Sequence, residues 1–218
     1  MSKKVAVIVG AGPGVSLHVA HKFGQNGFHI VLAARNKVAL EEFTSQLREE
    51  GIAADYIIVD AGSTASIEAG FQTIKEEYGS PELLIYNAAV ISGGKPTSLT
   101  SEVLTQHLQV DVVGALESTR QVLPDLLAKK SGTILFTGGG LSLFPSAQNA
   151  SLSIGKAAVR NLALTLAEEL KPEGIFVGTV TISGTVKPDT YYDPAVIADA
   201  YWTLFTERQE HEIVFKQP

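Results

Sequence analysis

The residues best equipped for chemistry lie in Gly10-Ala11-Gly12-Pro13-Gly14-Val15-Ser16. A short β-branched run, residues 4–9, precedes them, and Leu17, Ala20 and Phe23 recur behind them at helical spacing. Strand, glycine turn and helix together aim backbone N–H groups and a helix N-terminus at a phosphate. Glycine suits the turn because a Cβ would block both its sharp bend and the close approach of a pyrophosphate. Arg35 carries a guanidinium suited to a phosphate dianion. Gly138-Gly139-Gly140 offers either a second anion nest or room for a ligand. His18 and His21 share a helix face at i, i+3, but no third ligand accompanies them and the chain has no cysteine, so no metal site is expected.

These groups need elements to hold them. Residues 28–34, 54–59, 83–86, 133–137 and 175–182 read as buried strands, and 212–215 as an edge strand. Between them the periodicity predicts helices over 63–78, 100–129, 151–171 and 194–205. Another helix, capped by Asn36, carries Val38, Leu40, Phe43 and Leu47. The helix over 151–171 is apolar on more than one face, which fits burial between the sheet and a neighbouring helix, or a subunit contact. The alternation predicts one α/β domain over residues 1–218: a Rossmann-type doubly wound fold with a mostly parallel sheet of about seven strands flanked by helices. Ligands of such sheets sit at the carboxyl ends of the strands, where Gly10, Arg35, Asp60 and Asn87 fall.

Composition narrows the function classes. A net charge of −6 argues against nucleic acid or a polybasic membrane contact. No apolar run is long enough to span a bilayer, and too few residues separate Lys3 and Lys4 from the glycines for a signal segment, so a cytoplasmic protein is expected.

Taken together, the chain resembles the short-chain dehydrogenase/reductase family over almost its whole length. The family's Thr-Gly-x3-Gly-x-Gly stands here as Val9-Gly10-x3-Gly14-Val15-Ser16, with serine for the third glycine. The family's Asn-Asn-Ala-Gly appears as Tyr86-Asn87-Ala88-Ala89, its adenine-contacting Asp matches Asp60 (followed by Ala61), and its Pro-Gly-x-Val matches Ser183-Gly184-Thr185-Val186. The resemblance implies a nicotinamide dinucleotide held by Gly10, Gly12, Pro13, Gly14, Val15, Arg35, Asp60, Ala61, Asn87, Ala88, Ala89, Lys156, Gly184 and Val186. Ala33-Ala34-Arg35, with a cation and no acid after the second strand, points to NADP ahead of NAD. A homodimer or homotetramer is common in the family.

The same resemblance implies hydride transfer run by Ser, Tyr, Lys and Asn. Lys156 matches the lysine as the one retained catalytic residue, while Leu152, Gly139 and Asp111 stand where the tyrosine, serine and asparagine belong. Tyr191 or Tyr192, from the loop that covers substrate in the family, is either a substitute phenol or a packing residue. Asp111 is expected to pair with Lys156 in a salt bridge. Three functions stay open: an NADP-dependent oxidoreductase acting on a small carbonyl or alcohol with a rearranged proton donor, a nucleotide-binding pseudoenzyme serving as cofactor sensor or assembly subunit, or a different chemistry on the same scaffold.

Overall fold

The β-branched runs form strands, and each intervening helix returns the chain so that the next strand runs parallel to the last. The computed structural model describes residues 4–218. Strand β1 (Lys4–Val9) passes through the glycine turn into α1 (Val15–Gln25), followed by β2 (Phe28–Ala34), α2 (Lys37–Glu49), β3 (Ala54–Ile58), α3 (Thr64–Tyr78) and β4 (Leu83–Tyr86). The second half runs α4 (Ser101–Leu108), a π-turn (Gln109–Val113), α5 (Gly114–Lys129), β5 (Gly132–Gly139), α6 (Ala150–Leu170), β6 (Ile175–Ile182), α7 (Pro194–Glu207) and β7 (Glu212–Phe215). The seven strands lie in the order β3-β2-β1-β4-β5-β6-β7. Every pairing is parallel. Strand order reverses beside β1, so a crevice opens at the carboxyl ends of β1 and β4.

Period-two alternation divides the core between the two faces of the sheet. On β1, Val5, Val7 and Val9 join the layer under α3, α5 and α6, with Ile67, Phe71, Val122 and Val159. Ala6 and Ile8 face α1, α2 and α7, with Phe23, Leu40 and Tyr201. Each fully buried Val, Leu, Ile or Phe among these contributes about 1.5–3 kcal/mol. Helix starts are set by short polar caps: Asn36 accepts from the Ala39 N–H, Ser63 from Ser66, Thr100 from Val103 and Asp193 from Ala195.

The structure corrects four local expectations. The helix over 100–129 is interrupted by the π-turn that carries Asp111, which swings that side chain inward. Gly138 and Gly139 belong to β5, because their backbone groups pair with Thr181 and Ile182 whatever their side chains lack. Val38 is 72% exposed; the buried stripe of α2 is Leu40, Phe43, Thr44 and Leu47. On α1, Val19, Ala20 and Phe23 are buried and Leu17 is only half-buried. Among the described residues no helix is long and apolar enough to cross a membrane, and no cluster of His, Asp or Glu could hold a metal ion.

Candidate functional site

The glycine turn is clamped by both neighbours of β1. The Gly10 and Ala11 N–H groups donate to the Ala33 carbonyl on β2, at 2.8 and 3.3 Å. From β4, the Asn87 N–H donates to Val9 O at 2.8 Å and its side-chain amide to Gly10 O at 2.9 Å. Gly10 has φ +86°, and a Cβ there would lie 2.3 Å from the Ala88 nitrogen, so only glycine fits. Gly12 and Gly14 differ: a Cβ on either meets no protein atom within 4 Å. Their lack of side chains leaves open space at the N-terminus of α1, as an anion would need. Ser16, in place of the third glycine, is buried and turns back into the loop. Its Oγ accepts from the Gly12 N–H at 2.8 Å and donates to Gly12 O at 3.1 Å. Pro13 sits exposed at the tip of the turn and Val15 opens the helix.

A cavity of about 910 Å³ runs from this turn across the ends of β1 to β4. Gly10, Arg35, Asp60, Ala61, Asn87, Ala88 and Ala89 line it, whereas Gly12, Pro13, Gly14 and Val15 are not among its lining residues. Arg35 is exposed and joins none of the ion pairs found among the described residues. One oxygen of Asp60 accepts the Gly62 N–H at 2.9 Å, which fixes the carboxylate at the cavity wall. The open cradle and the Arg35 guanidinium on the cavity wall suit a phosphate-bearing ligand.

Lys156 lies beyond this cavity, on the α6 face toward the end of β5. Its Nζ donates to Thr137 O at 2.8 Å, and its methylene stem lies 3.3 Å from where a Cβ on Gly139 would stand. Packed protein atoms desolvate the ammonium and pull it down to about 8, against the opposing charge of Asp111. Part of the residue surface remains open. The expected Lys156–Asp111 salt bridge does not form among the described ion pairs. Instead Asp111 Oδ1 accepts the Val90 N–H at 2.7 Å, while Oδ2 is buried without a partner, against Gly155. Burial pushes the Asp111 carboxyl up; the Val90 N–H and the charges of Lys156 and His107 oppose the rise.

Three polar features were missed by sequence reasoning. Tyr201 on α7, fully buried, donates to Thr137 Oγ1 at 2.6 Å, and Thr137 donates to Asn87 Oδ1 at 2.9 Å. This chain orients the Asn87 amide toward the glycine turn, and burial pushes the Tyr201 phenol well up. His107 Nδ1 and Ser151 Oγ form a hydrogen bond of 2.9 Å between α4 and α6. Tyr86 donates to Val110 O inside the π-turn. The partners are far apart in the chain, and no local spacing marks them.

The loop after β6 carries the remaining candidates. Tyr192 lays its ring on Gly184 and donates to Ser183 O at 2.7 Å. Tyr191 is 41% exposed and packs on Tyr192 and Phe215. Both side chains are engaged in an aromatic cluster at the β7 edge, as packing residues are. Gly184 and Val186 lie in this loop, outside the lining of the large cavity.

A doubly wound parallel sheet with a glycine turn at its switch point is the architecture of the Rossmann-type dinucleotide-binding proteins. Residues 4–191 match the family model for short chain dehydrogenases. The chain belongs to the short-chain dehydrogenase/reductase family, a family of oxidoreductases. A Streptomyces coelicolor protein provisionally named a ketoacyl reductase is 30% identical over 182 residues, covering 81% of this chain and 69% of that protein. The 2,3-dihydro-2,3-dihydroxybenzoate dehydrogenase of Bacillus subtilis is 27% identical over 98% of this chain and 77% of its own. Among solved structures, a variant of actinorhodin polyketide ketoreductase with NADPH superposes with TM-score 0.81 at 26% identity, covering 94% of this chain and 77% of that one. The chain spans 64% to 77% of the length of such curated relatives.

Proposed function

We propose that this protein is an NADP(H)-dependent oxidoreductase acting on a small carbonyl or alcohol. The observation that carries the reading is the pairing of an open glycine cradle with a cation, Arg35, that joins no ion pair among the described residues. Gly12 and Gly14 leave space at the α1 N-terminus, and Arg35, just past the β2 strand that the turn bonds to, lines the cavity beside Gly10. An acidic residue in place of Arg35 would favour a ribose hydroxyl; a guanidinium favours a 2′-phosphate. The NADPH on the related ketoreductase supports the same choice.

In this reading the glycine turn and the α1 N-terminus hold the pyrophosphate, Arg35 the 2′-phosphate, Asp60 and Ala61 the adenine, and Asn87 to Ala89 the cavity floor. Lys156, with Gly184 and Val186, serves the nicotinamide half. When bound, the dinucleotide would supply or accept the hydride. The protein's own part is to orient the two reactants, exclude water and manage the proton on the substrate oxygen.

Fluorescence titration with NADPH and NADH, followed by a panel of aldehydes, ketones and quinones, tests this directly. Arg35→Ala should weaken NADPH by about 10- to 100-fold, the worth of a charge-assisted contact, and leave NADH nearly unchanged. Equal loss for both nucleotides would refute the role of Arg35. Binding with no turnover across the panel would favour the pseudoenzyme reading, which the absence of a side-chain proton donor at Leu152 and Gly139 motivates. We also infer a homodimer or homotetramer in the cytoplasm, with the 43%-exposed Ile154 on α6 as part of the contact. Light scattering that returns a monomer mass would refute that.

A further inference from the structure

We propose that Lys156 is itself the proton donor to the substrate oxygen, and that Asp111 and His107 reload it from solvent. The inference rests on the oxidoreductase reading above. It begins from an inventory of proton-bearing groups near the end of β5. Tyr201 donates to Thr137, Tyr86 to Val110 O and Tyr192 to Ser183 O, so these three phenols are committed elsewhere, and Tyr191 packs its ring on Tyr192 and Phe215 at the β7 edge. Leu152, one turn before Lys156 on α6, has nothing to give. Gly139 has no side chain, and the lysine stem rests against the place where one would begin. Lys156 has three N–H groups and uses one of them on Thr137 O.

The surroundings supply the return path. Asp111 presents a buried, unpartnered carboxylate oxygen against Gly155, the residue next to Lys156. His107 lies one turn earlier, close enough for its charge to act on Asp111, and bonds to Ser151. It is half-buried and so in contact with water. On α6 itself, Arg160 is tied to Glu212 and takes no part. The depressed affinity of Lys156 for its proton, about 8, places it near the working pH, where a general acid is most effective. In reduction, the carbonyl carbon takes a hydride from the reduced nicotinamide, an Nζ–H bond breaks, and an O–H bond forms on the alcohol. The electron pair of the broken bond stays on Nζ, which is left as a neutral amine until a proton arrives by way of Asp111.

The test uses the full chain with lysine nitrogens labelled for NMR. The Lys156 titration midpoint measured without nucleotide should coincide with the pH above which reduction slows about tenfold per pH unit. Asp111→Asn removes the opposing charge, so the NMR midpoint and the kinetic limb should both move down by the same amount. Lys156→Arg keeps the charge but not the transferable proton, so kcat should fall about 100-fold or more and the kinetic limb that tracks the Lys156 midpoint should disappear. Turnover that survives Lys156→Arg, or a kinetic limb that stays put when the NMR midpoint moves, overturns the role of Lys156 alone. A wild-type protein that binds NADPH and reduces nothing overturns the oxidoreductase reading, and this one with it.

Discussion

Replacing Gly12 with alanine separates what the fold needs from what a ligand needs. In the free protein a Cβ at Gly12 meets nothing within 4 Å, and its φ lies outside the left-handed region. The methyl group therefore adds no clash, and the hydrogen bond from the Gly12 N–H to Ser16 is retained. Alanine also restricts the unfolded chain, which stabilises a compatible site by about 0.4–1 kcal/mol. For a chain of this length that corresponds to a rise in Tm of about 1–4 °C. Nucleotide binding should respond in the opposite sense. The methyl group stands where the pyrophosphate would approach, and losing one charge-assisted contact, about 1.5–3 kcal/mol, weakens NADPH by about 10- to 100-fold. Thermal unfolding by circular dichroism and NADPH titration by fluorescence measure the two effects on one sample. A higher Tm with weaker binding supports a glycine kept for the ligand. Unchanged NADPH affinity would refute the reasoning, and a lower Tm would mean that the loop needs glycine for its own sake.

Gly10→Ala should do the reverse, losing about 2–5 kcal/mol of stability from the left-handed backbone and the contact with Ala88; denaturant unfolding checks it. Tyr201→Phe removes one buried hydrogen bond, so unfolding should show a loss of about 1 kcal/mol. NADPH affinity should also fall a few-fold, because Thr137 and Asn87 lose their orienting partner; unchanged affinity would uncouple α7 from the turn. Arg160→Met leaves Glu212 with only Thr181, and should lower stability at pH 7 by about 1–3 kcal/mol. Arg160 holds the Glu212 carboxyl below the ordinary carboxylate range, so its stabilisation is complete above the unfolded pKa and lost as pH falls through the lower folded one. Wild-type and Arg160→Met stabilities should therefore converge in acid, and a constant gap would argue against the ion pair.

What could be read from the chain was whatever local chemistry writes into it. The β-branched runs, the Asn36 cap and the glycine turn each act within a few residues, and each lies where expected. Gly138 and Gly139 misled because glycine signals a loop by its freedom, whereas here β6 supplies the pairing that makes them strand. The π-turn at Asp111 leaves no mark in an apolar pattern that continues through it. The salt bridge expected for Lys156 failed for a geometric reason: the Thr137 carbonyl and the Val90 N–H were nearer claimants for the two charges. Tyr201, Thr137 and Asn87 are 64 and 50 residues apart, a distance across which spacing carries no information.

That same relay of hydroxyls and amide bears on the order in which the chain becomes competent during synthesis. Strands β1, β2 and β3 are neighbours in sequence and in the sheet, so this half can assemble as soon as it leaves the ribosome. The glycine turn cannot settle then, because Asn87 and Ala88 clamp it, Thr137 steers Asn87, and Tyr201 steers Thr137. The glycine turn is thus finished by a helix far along the chain. A nascent chain halted before α7 would hold most of its sheet and still lack the Tyr201 hydroxyl that steers Thr137, Asn87 and, through them, the glycine turn.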